Sequence, residues 1–416
     1  MRGRLLLGVM LALVLAPVMT PVWAGDQGLQ AWDRIVPTRF NRLTAADGMA
    51  NGMVTSVAQD SAGVMWFGTI NGLVRYDGYR LQNFFNIKGD AASLPNNYVR
   101  ALSPLAGGGL LIGGNDGQLA RFDPATDSFQ TLHLDGAPGF GEKIYAFSAA
   151  ADGGVWVAYR RGLLYLDAGK SVLRHETLAD AGGQLLAGSA FSVLEDSAGD
   201  LWVGGDFGLA VRRHGESAFT LVKDSSPLGQ ALTHDAVWAL REGANGRLWF
   251  GTLRMGGAWI DRASLAFHPV KGLSGADSLV RGRTVRDIAE LSPDGPVWIA
   301  TDGVGIIAAD LDGASARQVS VDPSQPMSLS GDLVRALYRD RSGKLWAATQ
   351  LGVSWTDLNP HAARALFASN KLARGLADPN VAAVATDRQK RVWLGLGLGM
   401  IDVIDLEKGE IRHLRL

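Results

Sequence analysis

Residues Val54 to Ala58 form a β-branched run of alternating apolar and polar side chains, the pattern of a strand with one buried face. Asp60-Ser-Ala-Gly63 follows as a turn, in which Asp accepts backbone hydrogen bonds and Gly tolerates positive φ. Val64 to Thr69 predicts a second strand holding Trp66, and Ile70-Asn71-Gly72 a second turn. Leu73 to Asp77 and Leu81 to Phe85 predict a third and a fourth strand, the fourth more exposed. Four short strands joined by tight turns make one antiparallel unit.

The unit recurs every 45 to 49 residues, with the Trp position at Trp66, Leu111, Trp156, Trp202, Trp249, Trp298, Trp346 and Trp393. Twelve residues earlier stands an apolar residue: Val54, Val99, Ile144, Ala190, Val237, Val334 and Val381, with Val285 thirteen before Trp298. Two residues after the Trp position stands Gly or Ala, from Gly68 to Gly395, which predicts close approach of neighbouring strands. A period of this length predicts a β-propeller, with blades packed face to face around an axis. The Trp could be core or a stacking platform for a sugar or base. Its recurrence in nearly every unit favours core, wedged between adjacent blades.

The chain ends carry a second signal. Phe40 and Gly48 precede Val54 by fourteen and six residues, and Phe367 and Gly375 precede Val381 by the same intervals. The lead-in therefore restarts after seven units. Propellers commonly complete one blade with strands from both chain ends, which removes a free edge. The segment Phe40 to Leu43 is the expected outer strand for the blade begun at Val334. The all-β reading is a seven-bladed propeller over 33–360 and the first unit of a second propeller over 361–416. A single eight-bladed ring is the alternative.

Residues 1–24 stand outside this pattern. Arg2 and Arg4 precede the apolar run Leu5 to Leu15, and Val22-Trp23-Ala24 offers small residues before a cut at Gly25. This predicts a secretory signal peptide and export of the chain that follows it. No later segment is apolar over the ~20 residues a membrane span needs.

Composition narrows the chemistry. The chain of 416 residues has no Cys, which excludes disulfides, thiolate metal sites and Cys nucleophiles. Its net charge of −1 implies neither nucleic acid nor an acidic membrane as a bulk partner. The seven His are scattered without metal-ligand spacing, and no basic stripe interleaves with aromatics. Gly-rich strings fall in hairpins rather than between strand and helix, which disfavours a phosphate loop. No catalytic residue, metal or cofactor is expected.

Trp66-Phe-Gly-Thr-Ile-Asn-Gly-Leu-Val-Arg-Tyr-Asp-Gly78, with Asp60-Ser-Ala-Gly63 before it, resembles the two-component regulator propeller repeat. The connector Ser93-Leu-Pro-Asn-Asn-Tyr-Val99 and its echo Ser328-Leu-Ser-Gly-Asp-Leu-Val334 are also similar to that family. The resemblance implies a periplasmic sensor region of a histidine kinase or diguanylate cyclase, non-catalytic in itself, whose output domains are missing from this chain. It implies a small polar or carbohydrate-like ligand and a homodimer through the propeller region. The competing readings are a propeller enzyme acting on glycans, an eight-bladed quinoprotein, and a soluble periplasmic scaffold or binding protein.

In propellers generally, ligands meet the face where second-to-third strand turns and inter-blade connectors converge. The candidates there are Asn97, Arg160, Arg161, His234, Asp235, Arg254, Arg283 and Asp302, accompanied by Asn71, Asp116, Asp206 and Gln350. His234, Asp235 and Arg283 are preferred among them because they lead into first strands near the axis.

Overall fold

The structure is a computed structural model that describes residues 36, 38–105, 108–134, 141–223, 225–270, 272–273, 278–311, 316–325, 327–358, 366–369 and 375–415. The predicted signal peptide lies outside the described residues. The chain divides into two compact units, one spanning Thr38–Ala363 and one holding Arg364–Leu416.

In the larger unit, each sequence repeat folds as a four-stranded meander, as the turn chemistry requires. The first blade runs Val54–Gln59, Met65–Thr69, Gly72–Tyr76 and Leu81–Phe84, paired in that order. The same order holds for the blades whose first strands are Val99–Pro104, Ile144–Ala149, Ala190–Glu195, Val237–Glu242 and Val285–Glu290. The blade begun by Val334–Arg339 supplies three strands of its own. Its outer strand is Asn41–Leu43, which pairs antiparallel with Gly352–Thr356 in the register Asn41 to Trp355. Arg42 reinforces that pairing by donating to the carbonyls of Ser328 and Leu329 and to the Ser328 hydroxyl. Each first strand packs on the next, and the strand Val334–Arg339 packs on Val54–Gln59, so the succession closes on itself. The outer strands of the second and third blades also pair in parallel, at His133 with Val172 and Leu134 with Leu173.

The core lies between blades. Trp202 packs with Val237, Leu240, Leu248 and Phe250 of the following blade. Trp66 packs with Val99, Leu110 and Phe122, and Trp346 with Val54 and Phe67. A Cβ added at Gly68, Gly113, Gly204 or Gly251 would lie 2.7, 2.6, 2.5 or 2.3 Å from Val99, Ile144, Val237 or Val285 of the next blade. The next blade, and at Gly68 and Gly204 also Ser56 and Ser192 of the same blade, leaves no room for a larger residue at these four positions.

The Asp of the first turn does more than shape it. Asp60 Oδ1 accepts from the backbone N–H of Ala62 and Val64, and its Oδ2 accepts from the Trp66 indole at 2.8 Å. Asp196 and Asp340 repeat the arrangement with Trp202 and Trp346, each at 2.8 Å. In two blades without this Asp the next blade substitutes: Trp156 donates to Glu195 at 2.6 Å and Trp249 to Glu290. Gly243 stands where the Asp would be, and a Cβ there would strike Glu290 Oε2 at 2.3 Å.

The smaller unit is one four-stranded sheet, Val381–Thr386, Val392–Leu396, Met400–Asp405 and Glu410–Arg415. It keeps the internal bond, Trp393 to Asp387 at 2.9 Å. The Gly of its turn is replaced by Lys390, which holds φ of 59° in the left-handed region. Its first strand is exposed throughout, and the position equivalent to Gly68, Gly395, meets only its own sheet at Ala383.

Candidate functional site

Every first strand in the larger unit contains a β-bulge immediately after its leading apolar residue. A bulge leaves one residue out of the pairing and re-aims its side chain. The residues so placed are Thr55, Arg100, Tyr145, Phe191, Trp238, Arg286 and Arg335, one per blade. They turn towards the axis. The rings of Tyr145 and Trp238, from strands two blades apart, lie 5.8 Å apart, and Phe191 between them stacks on Trp238 at 4.2 Å with planes 6° apart. Tyr145 meets Phe191 edge-on at 5.0 Å.

Arginines flank this aromatic group. The Arg100 guanidinium lies 4.9 Å from the Tyr145 ring centre and 5.8 Å from that of Tyr98. The Arg286 guanidinium lies 4.6 Å from the Trp238 ring. Arg286 is paired with Asp302, and Arg100 donates to Asn115 Oδ1 at 3.0 Å. Arg335 has no hydrogen-bond or ion-pair partner among the described residues. Burial lowers the Arg100 pKa, with Tyr98 and Tyr145 acting to raise it and the like charges of Arg335 and Arg286 lowering it further. Burial raises the pKa of Tyr145, and Arg100 and Arg160 oppose that shift.

The polar atoms of the cluster are incompletely satisfied. Arg100 Nε, Arg335 Nε, Trp238 Nε1 and Asp302 Oδ1 are buried without partners. A buried donor left unmade costs ~1–3 kcal/mol, and half of the buried unpartnered side-chain atoms among the described residues fall in this cluster.

The candidates read from the sequence divide into two groups. The convergence of turns and connectors is present in every blade of the larger unit. Asn115, Arg160, Asp206, Asp302 and Gln350 each donate their backbone N–H to the residue that leads into the first strand, at 3.0 to 3.2 Å. Asp302 reaches the axial cluster through Arg286, and Arg160 and Asp206 act electrostatically on Tyr145. Arg161 and Arg160 both pair with Glu142 and are largely exposed. The rest hold connectors. Asn97 Oδ1 accepts from the Asn86 N–H. Asp235, 4% exposed, accepts from the N–H groups of Ala236, Arg254 and Met255, and Arg254 also donates to the His234 carbonyl. The Arg283 side chain is exposed beside Gly303. Arg100, Tyr145, Phe191, Trp238, Arg286 and Arg335 were not singled out by sequence. Their signal was available: the residue after the apolar lead is large in six of the seven units while its flanks repeat.

A second polar region, a cavity of about 370 Å³ between the third and fourth blades, contrasts with the axis. Arg212 lies over Trp156 and pairs with Glu176, Arg213 pairs with Asp200, and Tyr165 donates to Asp152. Each of its arginines is matched by a carboxylate. Among the described residues, no cluster of His, Asp and Glu could hold a metal ion, and no helix is long and apolar enough to cross a membrane.

Three segments, 48–71, 231–254 and 328–350, match the two-component regulator propeller family. A search of curated proteins gives no match. Among solved structures, the chain is similar to the extracellular domain of a hybrid two-component system of B. thetaiotaomicron, BT3049. The TM-score is 0.72 and the identity 21%, covering 90% of this chain and 49% of that one. It is also similar to the extracellular domain of BT4673 from the same organism, with TM-score 0.63 and 16% identity over 90% and 53% of the two chains. Virginiamycin B lyase from Staphylococcus aureus matches with TM-score 0.57 and 12% identity over 76% and 98%. The chain spans about half the length of the two B. thetaiotaomicron domains.

Proposed function

We propose that this chain, which carries two-component regulator propeller repeats, is the ligand-sensing part of a bacterial signal-transduction protein and is non-catalytic in itself. On this reading residues 33–360 form the sensor propeller, 361–416 begin a second propeller, and both act in the periplasm. The signal passes to a histidine kinase or diguanylate cyclase. The observation that carries the reading is the axial cluster: half-buried arginines and aromatics, one per blade, with donors that lack acceptors. The repeats and the likeness to sensor-domain folds support it.

The test is a melting screen of the purified chain against small periplasmic metabolites, combined with turnover assays on every compound that stabilises it. A bound ligand at 100 times its Kd raises stability by about 2.7 kcal/mol. Stabilisation without turnover is the expected result. Conversion of the stabilising compound to product would replace the sensor with a propeller enzyme.

A further inference from the structure

The axis is divided by chemistry. In blade order it is lined by Thr55, Arg100, Tyr145, Phe191, Trp238, Arg286 and Arg335. The aromatics occupy three consecutive blades, the third to the fifth. The arginines occupy the sixth, the seventh and the second, with Thr55 between them. The Thr55 hydroxyl is already used, donating to the carbonyls of Gly68 and Val99. One arc is therefore cationic and the opposite arc aromatic.

The like charges of Arg286 and Arg335 act on Arg100, and of the three only Arg286 has a carboxylate. Three of the four unpartnered polar atoms are N–H donors: Arg100 Nε, Arg335 Nε and Trp238 Nε1. An added neutral hydroxyl would satisfy a donor but leave the like charges opposed. An oxyanion would do both, and guanidinium groups match planar carboxylates in shape as well as charge. The Tyr145, Phe191 and Trp238 arc offers edges and faces to a flat apolar body.

Resting on the sensor reading above, we propose that the axial channel binds an amphipathic anion. Its carboxylate or similar oxyanion head lies between Arg100 and Arg335, and its flat apolar body lies against Tyr145, Phe191 and Trp238. Neutral oligosaccharides are not its ligands.

Calorimetric titration of the purified chain with phenylacetate, acetate, benzyl alcohol, inorganic phosphate and maltose tests this. Phenylacetate is expected to bind at least tenfold tighter than acetate, benzyl alcohol or phosphate, to weaken as salt rises, and to leave maltose without measurable binding. Arg335→Gln is expected to lower phenylacetate affinity tenfold or more. Because Arg335 holds no partner, its melting temperature should equal or exceed that of the parent. Trp238→Leu should weaken phenylacetate but leave acetate unchanged. Maltose binding that is lost in Trp238→Leu yet untouched by Arg335→Gln overturns the anion and keeps the sensor reading. Failure of all five probes to bind likewise overturns the ligand class. Binding that neither substitution alters sinks the axial site itself.

Discussion

Near the first hairpin of each blade the second strand carries the same Trp in six of the seven units of Thr38–Ala363, whereas at the axis the bulged residue is Thr, Arg, Tyr, Phe, Trp, Arg and Arg in turn. Both positions are fixed by the same meander. At the first, every blade faces the same task, filling the wedge against its neighbour, and one solution recurs. Trp66, Trp202 and Trp249 are at most 1% exposed, and each gives its indole N–H to a carboxylate, from its own turn or from the next blade. At the second, the bulged residues of several blades meet in one cluster. Identical residues there would make a ring of like charges or a plug of identical rings, and no one side chain recurs through all seven blades. In this molecule recurrence marks what holds blades together, and variation at a geometrically fixed position marks what the assembled ring presents.

The contrast is sharpest in the expected cost of removing each kind of residue. Trp202→Ala should destabilise by about 3–5 kcal/mol through the cavity it leaves, measured by chemical denaturation. An unchanged midpoint would remove the Trp from the core. Asp196→Ala should cost roughly 2–3 kcal/mol, since it strips acceptors from the Trp202 indole and from the N–H groups of Ala198 and Asp200. A loss below about 0.5 kcal/mol would show that the indole bond is incidental to the turn.

The same carboxylates give the structural position a pH signature. Burial acts to raise the Asp340 pKa, but hydrogen bonds from the Trp346 indole, Ser342 and the Lys344 N–H outweigh it and hold it below 3.8. In the smaller unit desolvation is likewise outweighed by Trp393 and Arg391, and Asp387 is held at about 2. A carboxyl depressed on folding contributes stability above its unfolded value and loses it as pH falls through the folded one. The stability gap between the parent and Asp340→Asn should therefore be constant above pH 4 and shrink below it. A gap independent of pH down to 2 would break the assignment. The smallest effect belongs to the axis: Arg335→Gln should leave stability within about 0.5 kcal/mol of the parent or raise it, because no partner is lost.

The legibility of the chain follows the same division. The meander, the inter-blade Trp and the small residue after it were readable because the period repeats them, and the pairing of the Phe40 to Leu43 segment followed from the restart at Phe367. The turn Asp was read as a turn residue only. Its bond to the indole six residues on is not fixed by the sequence: the Leu111 unit lacks both Trp and Asp, but the Trp156, Trp249 and Trp298 units keep the Trp with Ala150, Gly243 and Ser292 in place of the Asp. The substitution of Glu195 and Glu290 was not readable, since each acts on a Trp 39 or 41 residues away in another blade. The axial cluster was missed for a different reason. Its members share no residue type, and the mark they do share, a large side chain after the apolar lead in six of the seven units, gains meaning only from the bulge that re-aims it. The residues preferred by sequence, His234 and Asp235, lie close by but serve the connector, where Asp235 accepts three backbone N–H groups.

The strand Asn41–Leu43 has a consequence in time. It is made early, yet its partner Gly352–Thr356 is made only after six complete blades have emerged. Each blade can form its local hairpins as it is synthesised, but the last interface, between Val334–Arg339 and Val54–Gln59, must wait. Until then the growing chain is an arc with two raw faces, and the closing step carries the entropy of the longest loop in the fold. A three-residue strand locked by Arg42 is a late clasp: short enough to remain unpaired without harm, and shut only when the whole circuit has been laid down.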